Sequence, residues 1–290
     1  MTMKEAYLRL LSRLYELYAD REAATIADWV IEHITGMKRI DRIVHKNVLL
    51  SAPQQLQLAD ATERLLQHEP VQYVLGEAWF AGMRFYVDRN VLIPRPETEE
   101  LVEWTTEEIR NTKYEVQNQQ PTILDIGTGS GCIPIALYRQ LLPNASVTAL
   151  DVSEGALKVA KQNAIALAAA PIDFLLLDFL NEAEWQQLPL YDIITSNPPY
   201  IKQAEAASMN RNVLDFEPAT ALFVEDNDPL IFYRKIAAFG KTHLAAKGAL
   251  FVEINEALGL ATIDLFKSYG YQALLRQDLQ GRDRMIKAWL

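Results

Sequence analysis

The stretch Asn197-Pro198-Pro199-Tyr200 follows the apolar run Tyr191 to Ser196 and carries the most specific chemistry in the chain. Two prolines remove two backbone donors and stiffen the turn, leaving the Asn197 side-chain oxygen and backbone carbonyls as acceptors for a planar NH₂ group. Tyr200 adds a flat face for stacking. A turn needed only to reverse direction would use Gly or Asp. A second signal is Ile123-Leu124-Asp125-Ile126-Gly127-Thr128-Gly129-Ser130-Gly131, an apolar run ending in a glycine-rich turn of the kind that lets backbone approach a ligand. Asp151 lies 22 residues beyond Gly129, at the end of the next apolar run. There a carboxylate can accept hydrogen bonds from both hydroxyls of a ribose, the alternative being a solvated loop acid. A dinucleotide site would offer the same parts, although Gly-Thr-Gly-Ser-Gly departs from the usual G-x-G-x-x-G spacing. Asp178 and Phe179 end a third apolar run, where an acid could take an exocyclic N–H and a ring could stack on a nucleobase. Phe179 reads equally as core.

These residues need elements that bring them to one edge. After Gln120 the chain alternates apolar runs with helical stretches, and Thr122 to Ile126, Ser146 to Leu150, Ile172 to Leu177, Ile193 to Ser196 and Ala249 to Ile254 all read as buried strands. Such alternation predicts an α/β fold with a mostly parallel sheet covered on both faces. Tyr271 to Leu275 and Met285 to Trp289 are joined by the short polar stretch Gln277 to Arg284, so the last strand is expected to be antiparallel. Open sheets of this kind bind ligands at the carboxyl ends of their strands, where all four signals fall.

The first 70 or so residues read as helices. Tyr7, Leu10, Leu11, Leu14, Leu17 and Tyr18 recur on one face; a second helix runs from about Arg21 to His33, with Gly36 able to end it; and Pro53 fits a first helical position ahead of Leu58, Ala61, Leu65 and Leu66. Val71 to Val91 turns aromatic and β-branched around Gly76 and Gly82, which predicts a hairpin or extended linker. Ile93 to Glu100 then stiffens at two prolines and opens a helix whose first carboxylates suit the helix dipole. The expected organisation is a helical domain over 1–75, a linker over 76–93 and a catalytic domain over 94–290.

Composition narrows the classes. The chain has 290 residues, is half hydrophobic and 23% charged, and is neither collagen-like, low-complexity nor wholly disordered. No run approaches the roughly 20 apolar residues of a membrane span, and the start Met-Thr-Met-Lys-Glu-Ala-Tyr lacks the pattern of a secretory leader. Cys132 is the single cysteine and the four histidines are dispersed, so no zinc-ligand spacing is present and a reducing cytoplasm is expected. The net charge is −10; residues 1–76 hold 9 basic and 10 acidic residues, leaving 19 against 28 beyond them. That balance is a poor match to a broad phosphate-binding surface and disfavours a nucleic-acid substrate.

With these residues in view, the chain resembles a class I S-adenosylmethionine-dependent methyltransferase, and most closely the HemK/PrmC family of protein-(glutamine-N5) methyltransferases that modify peptide chain release factors. Glu69-Pro70-Val71-Gln72-Tyr73-Val74-Leu75-Gly76, Val91-Leu92-Ile93-Pro94-Arg95-Pro96-Glu97-Thr98-Glu99 and Asp278-Leu279-Gln280-Gly281-Arg282-Asp283-Arg284 are similar to that family's linker, pre-domain and tail signatures. The resemblance implies a Rossmann-like sheet with a small all-α N-terminal domain that recognises the release factor, S-adenosylmethionine as methyl donor with S-adenosylhomocysteine as product, and no metal. It implies that Gly127, Thr128, Gly129, Ser130 and Gly131 line the methionine part of the cofactor, that Asp151 binds its ribose, and that Asp178 and Phe179 flank its adenine. Asn197, which would also border the cofactor, would hold the glutamine amide with Pro198, Pro199 and Tyr200; Asn197, Pro198 and Tyr200 would serve catalysis. The alternative is an Asn-Pro-Pro-Tyr amine methyltransferase acting on a nucleic acid or on another protein glutamine. The chain departs from the family pattern at Phe223 to Leu230, where glycines are usual, and at Asn255, where a glycine commonly follows Glu253-Ile254.

Overall fold

A computed structural model of the chain describes residues 1–111, 120–141, 145–169 and 171–290. These fall into two compact units, one of Met1–Glu77 with Asn210–Phe216 and one of Ala78–Met209 with Glu217–Leu290.

In the first unit, α1 (Met3–Leu14) opens on a capping box in which Thr2 accepts the Glu5 N–H and Glu5 accepts the Thr2 N–H. Helix α2 (Asp20–Thr35) stops at Gly36, whose φ of +69° supplies the left-handed terminus expected there. A short α3 (Arg39–Val44) was not foreseen, because Ile40, Ile43 and Val44 stay exposed and form no buried face. In α4 (Ala52–Leu66), Ser51 is the cap and Pro53 is the second helical residue rather than the first. Leu10, Leu14, Ala27, Val30, Ile31, Leu58 and Leu65 make the core of this unit. Leu17 does not join it: α1 ends three residues earlier, so Leu17 lies in the following turn and is exposed.

Val71–Leu75 forms helix α5, against the extended linker that its β-branched and aromatic residues suggest. The reason lies in its ends. Gly76, at φ +66°, closes the helix, while the Arg64 guanidinium donates to the carbonyls of Tyr73 and Val74 and forks onto both oxygens of Glu69, each at 2.9 Å. Satisfying the carbonyls left over at a helix end outweighs a weak strand preference.

In the second unit, β1 (Ala78–Phe80) and β2 (Met83–Phe85) form the expected hairpin, turning at Gly82. Then come α6 (Pro96–Asn111), β3 (Thr122–Ile126), α7 (Cys132–Leu141), β4 (Ser146–Asp151), α8 (Glu154–Ala166), β5 (Asp173–Leu176) and β6 (Tyr191–Ser196). The short β7 (Ile201–Lys202) pairs in parallel with β8 (Phe223–Val224); between them in sequence lie α9 (Arg211–Leu214), in the segment that groups with the first unit, and α10 (Ala219–Leu222). The chain ends with α11 (Ile231–His243), β9 (Leu244–Glu253), α12 (Gly259–Ser268), β10 (Gln272–Gln277) and β11 (Asp283–Trp289).

The seven-stranded sheet has the order β10-β11-β9-β6-β3-β4-β5. The five strands from β9 to β5 run parallel, and β11 inserts antiparallel between β9 and β10, as the short polar connection predicted. Alternate residues feed two cores. Ile123, Ile193 and Phe251 pack with Leu101 of α6 and Ile135 of α7, whereas Leu124, Ile194 and Leu250 pack with Phe239 of α11 and Phe266 of α12. Among the described residues, no helix is long and apolar enough to cross a membrane.

Replacing Arg64 by Leu should remove both guanidinium hydrogen bonds from the Glu69 carboxylate, whose side chain is 5% exposed, and release two helix-end carbonyls. The expected loss is roughly 2–4 kcal/mol of stability, read from the shift of the urea midpoint.

Candidate active site

The sheet register places the site. Ile126 pairs with Leu150 on one side and Ser196 on the other, and Ser196 pairs with Val252. One residue further along each strand stand Gly127, Asp151, Asn197 and Glu253, in a row along the carboxyl edge of the sheet. The chain departs in opposite directions on either side of β3, so the row lies at the topological switch point, where open α/β sheets hold ligands.

The turn after β3 is built from three left-handed glycines, Gly127, Gly129 and Gly131, at φ +73°, +54° and +79°. The Gly127 and Thr128 N–H groups donate to the Leu150 carbonyl, and the Ser130 carbonyl accepts from Asn163 of α8, so both neighbouring elements pin the turn. The glycines do different work. A Cβ at Gly127 or Gly129 would meet nothing within 4 Å, whereas one at Gly131 would lie 3.0 Å from Ile135 Cδ1 and 3.1 Å from Ala160 Cβ. Gly131 therefore does not line the cavity as expected; it lets α7 and α8 close on the turn. Asp151 accepts the Gly129 N–H on Oδ2 at 2.8 Å and the Ser153 N–H on Oδ1 at 2.9 Å. Burial raises its pKa and these backbone donors pull against that rise. Each oxygen keeps a further lone pair for a ligand hydroxyl.

Beneath the turn, Asp125 is fully buried and accepts the Thr195 hydroxyl on Oδ1 at 2.8 Å. Burial pushes its pKa up to about 7. The buried Thr128 hydroxyl lies against this carboxylate, and Thr128 and Ser130 both line the cavity while Asp125 does not.

Asn197, Pro198 and Pro199 line the same cavity, which has a volume of about 690 Å³. The Asn197 Nδ2 donates to Thr98 Oγ1 at 3.1 Å, and the Thr98 hydroxyl donates to Glu253 Oε2 at 2.6 Å. Tyr200 departs from expectation: its hydroxyl donates to Glu253 Oε1 at 3.1 Å, and its ring packs against the core instead of lining the cavity. Burial against the Glu253 charge raises the Tyr200 pKa far above the usual phenol range, so it stays a neutral donor.

Asp178 and Phe179 both border the cavity. The Phe179 ring is buried between Trp185 and Phe239, as its core reading expects. Cys132 lines the cavity as a thiol, its pKa pushed up to about 12 by burial. On the opposite wall, Glu217 accepts the Arg95 guanidinium at 2.6 Å and the Ile93 N–H at 3.2 Å, tying the Ile93-Pro94-Arg95 stretch to the segment that leads into α10. Sequence reading missed the parts played by Thr98, Glu217 and Glu253. An acid at the end of a buried apolar run, as at Glu253, was the available signal.

Neither departure from the family pattern distorts the backbone. Asn255 has φ −66° and caps Ala257 with its side chain, so no glycine is needed. No residue from 223 to 230 has a positive φ, and Glu225, Asn227 and Asp228 line the cavity.

Two family models match the chain, the PrmC N-terminal domain over residues 5–76 and a methyltransferase domain over residues 117–238. The release factor glutamine methyltransferase of Flavobacterium psychrophilum is 42% identical, over 99% of both chains, and that of Bacteroides thetaiotaomicron is 40% identical, over 98% of both. Among solved structures, the catalytic domain of hMettl16, in complex with the MAT2A 3'UTR hairpin 6, superposes with a TM-score of 0.54 at 18% identity, covering 84% of this chain and 83% of that one. That likeness is one of fold.

The two kinds of glycine make a stability contrast. Gly129→Ala should cost about 1–2 kcal/mol, from the left-handed backbone alone. Gly131→Ala adds overpacking and should cost roughly 2–4 kcal/mol, measured by urea denaturation of both variants.

Proposed function

Because the chain belongs to the release factor glutamine methyltransferase family, sharing 40–42% identity with relatives along nearly its whole length, we propose that it methylates the side-chain amide nitrogen of the glutamine in the Gly-Gly-Gln motif of bacterial peptide chain release factors. The observation that carries this reading is the Asn197 amide, held at the switch point by its Nδ2 with its oxygen edge left for a substrate NH₂.

The residues present fit S-adenosylmethionine. Gly127 and Gly129 border open space that a Cβ would enter, and the Thr128 and Ser130 hydroxyls and the Asp151 carboxylate line the same cavity. When bound, S-adenosylmethionine supplies an electrophilic methyl on a sulfonium centre and leaves as S-adenosylhomocysteine. Gly127, Thr128, Gly129 and Ser130 hold its methionine part, with Gly131 setting the turn. Asp151 takes the ribose hydroxyls on its free lone pairs, and Asp178 and Phe179 flank the adenine. No metal takes part in this reading.

An amide nitrogen is a poor nucleophile because its lone pair is delocalised into the carbonyl. The site must therefore orient it. Asn197 Oδ1 and the Pro198 carbonyl each accept one N–H, which aims the lone pair out of the amide plane toward the methyl and supplies much of the rate by proximity. Positive charge grows on nitrogen during transfer, and these two fixed acceptors stabilise it more in the transition state than in the ground state; the methylated nitrogen then loses one of its two protons to solvent, which leaves a neutral N-methyl amide. Pro199 stiffens the turn, and Tyr200 braces it through Glu253. The helical region matched by the N-terminal family model is the module that grips the release factor, and the reaction belongs to the cytoplasm, where translation terminates. The acidic balance of the rest of the chain supports a protein acceptor over a nucleic acid.

Incubating the full chain with S-adenosylmethionine and purified release factor should add one methyl group to the Gly-Gly-Gln peptide by mass spectrometry. Methyl label in nucleic acid and none in release factor would overturn the reading. Asp151→Ala should weaken S-adenosylmethionine binding by about tenfold to a hundredfold in calorimetry. Asn197→Ala should leave that affinity nearly intact while turnover falls at least about a hundredfold.

A further inference from the structure

Resting on that reading and deepening it, we infer that Thr98 and Glu253 are positioning residues that fix which edge of the Asn197 amide faces the acceptor, and thereby make the site choose an amide over a carboxylate. The three residues come from the first turn of α6, the end of β9 and the exit of β6, with Thr98 lying 99 residues from Asn197 and 155 from Glu253. Thr98 is 2% exposed and Glu253 is 1% exposed.

Donor and acceptor accounting decides the orientation. Burial raises the Glu253 pKa, while the Thr98 and Tyr200 hydroxyls and the Arg284 charge oppose that rise; in the ionised form these favour, Glu253 has no proton to give and takes the Thr98 hydroxyl on Oε2 and the Tyr200 hydroxyl on Oε1. The one proton of Thr98 is thus committed. What remains on Thr98 Oγ1 is a lone pair, and only the NH₂ edge of Asn197 can satisfy it. The reverse orientation would set the Asn197 oxygen against that lone pair and leave two buried acceptors unpaired. The oxygen edge is therefore turned toward the cavity, where Oδ1 takes no hydrogen bond from the described residues.

The acceptor end of the cavity then offers two acceptors, Asn197 Oδ1 and the Pro198 carbonyl. A glutamine NH₂ has two N–H groups to match them. A glutamate carboxylate has none, and it would also face the buried charge of Glu253 behind Asn197. Rejection follows from acceptors left unpaired, a stronger discriminator than pocket shape. Glu253 is also an unusual residue to bury for packing alone. Among the described residues it forms no ion pair within 4 Å, and the facing guanidinium of Arg284 is pledged to Asp278 and Glu256. A buried carboxylate held by two hydroxyls sets the polarity of both, which an apolar residue could not do.

The test compares the full chain with its Thr98→Val, Thr98→Ser and Glu253→Gln variants. Each is assayed for S-adenosylhomocysteine affinity by calorimetry, for kcat and KM on release factor, and for inhibition by release factor whose Gly-Gly-Gln glutamine is replaced by glutamate. Thr98→Val keeps the shape, frees the Asn197 amide to rotate, and should lower kcat at least about tenfold with cofactor-product affinity within about threefold. The ratio of the inhibition constant of the glutamate form to KM for the glutamine form should fall by at least about tenfold, because a rotated Asn197 can donate to a carboxylate. Thr98→Ser restores the hydroxyl and should recover most of both losses. Glu253→Gln can accept from one hydroxyl only and should shift the ratio the same way. An unchanged ratio in Thr98→Val, or an equal loss in Thr98→Ser, would show ordinary packing and overturn the inference. Absence of methylation by the unaltered chain would instead count against the function proposed above, which keeps the two failures distinct.

Discussion

Parallel pairing of β3 with both of its neighbours is the constraint on which the site depends. Ile126 fixes Leu150 on one side and Ser196 on the other, and Ser196 fixes Val252. A slip of one residue in any of these ladders would send each side chain into the opposite core and carry Gly127, Asp151, Asn197 or Glu253 out of the row. Packing energy and catalytic geometry are therefore set by the same hydrogen bonds. The Thr195 hydroxyl on Asp125 and the Ser196 hydroxyl on the Ile126 carbonyl add side-chain links between the same two strands just below the switch point. These links hold Gly127 and Asn197 side by side on one edge without loop motion to bring them together.

Buried parallel strands leave a plain mark in sequence, because a strand covered on both faces reads as a nearly continuous apolar run. This is why Thr122 to Ile126 could be bounded to the residue, and why the turns after β3, β4 and β6 could be recognised as sharing one edge. The helix Val71–Leu75 was not legible, since what stabilises it is an arginine from the preceding helix reaching two carbonyls and a glycine at its end. Leu17 was misplaced for the opposite reason: its spacing continues the α1 pattern past the point where the helix stops.

The site divides along the same line. Residues whose placement follows from position in the chain, such as Gly129 after a strand or Asp151 at the end of the next, could be located directly. Residues that act through a partner far away in sequence could not. Gly131 looks like its neighbours Gly127 and Gly129, but only the approach of Ile135 and Ala160 shows that it serves helix packing. Tyr200 reads as a stacking face until the Glu253 carboxylate is found at its hydroxyl, and Thr98 looks like an ordinary first-turn residue until the same carboxylate appears beside it. A single buried acid thus changes the meaning of two side chains, and nothing local to either one announces it.

The segment 210–216 groups with the helical unit although it lies, in sequence, inside the catalytic one. The chain consequently passes between the units three times, after residues 77, 209 and 216. A recombination event with one breakpoint near residue 77 cannot exchange the helical unit as a whole cassette, because a piece of it is encoded within the other. Exchange of the two units is thereby coupled: a graft of a foreign helical module would have to bring its own counterpart of 210–216, placed immediately before the Glu217 that anchors Arg95.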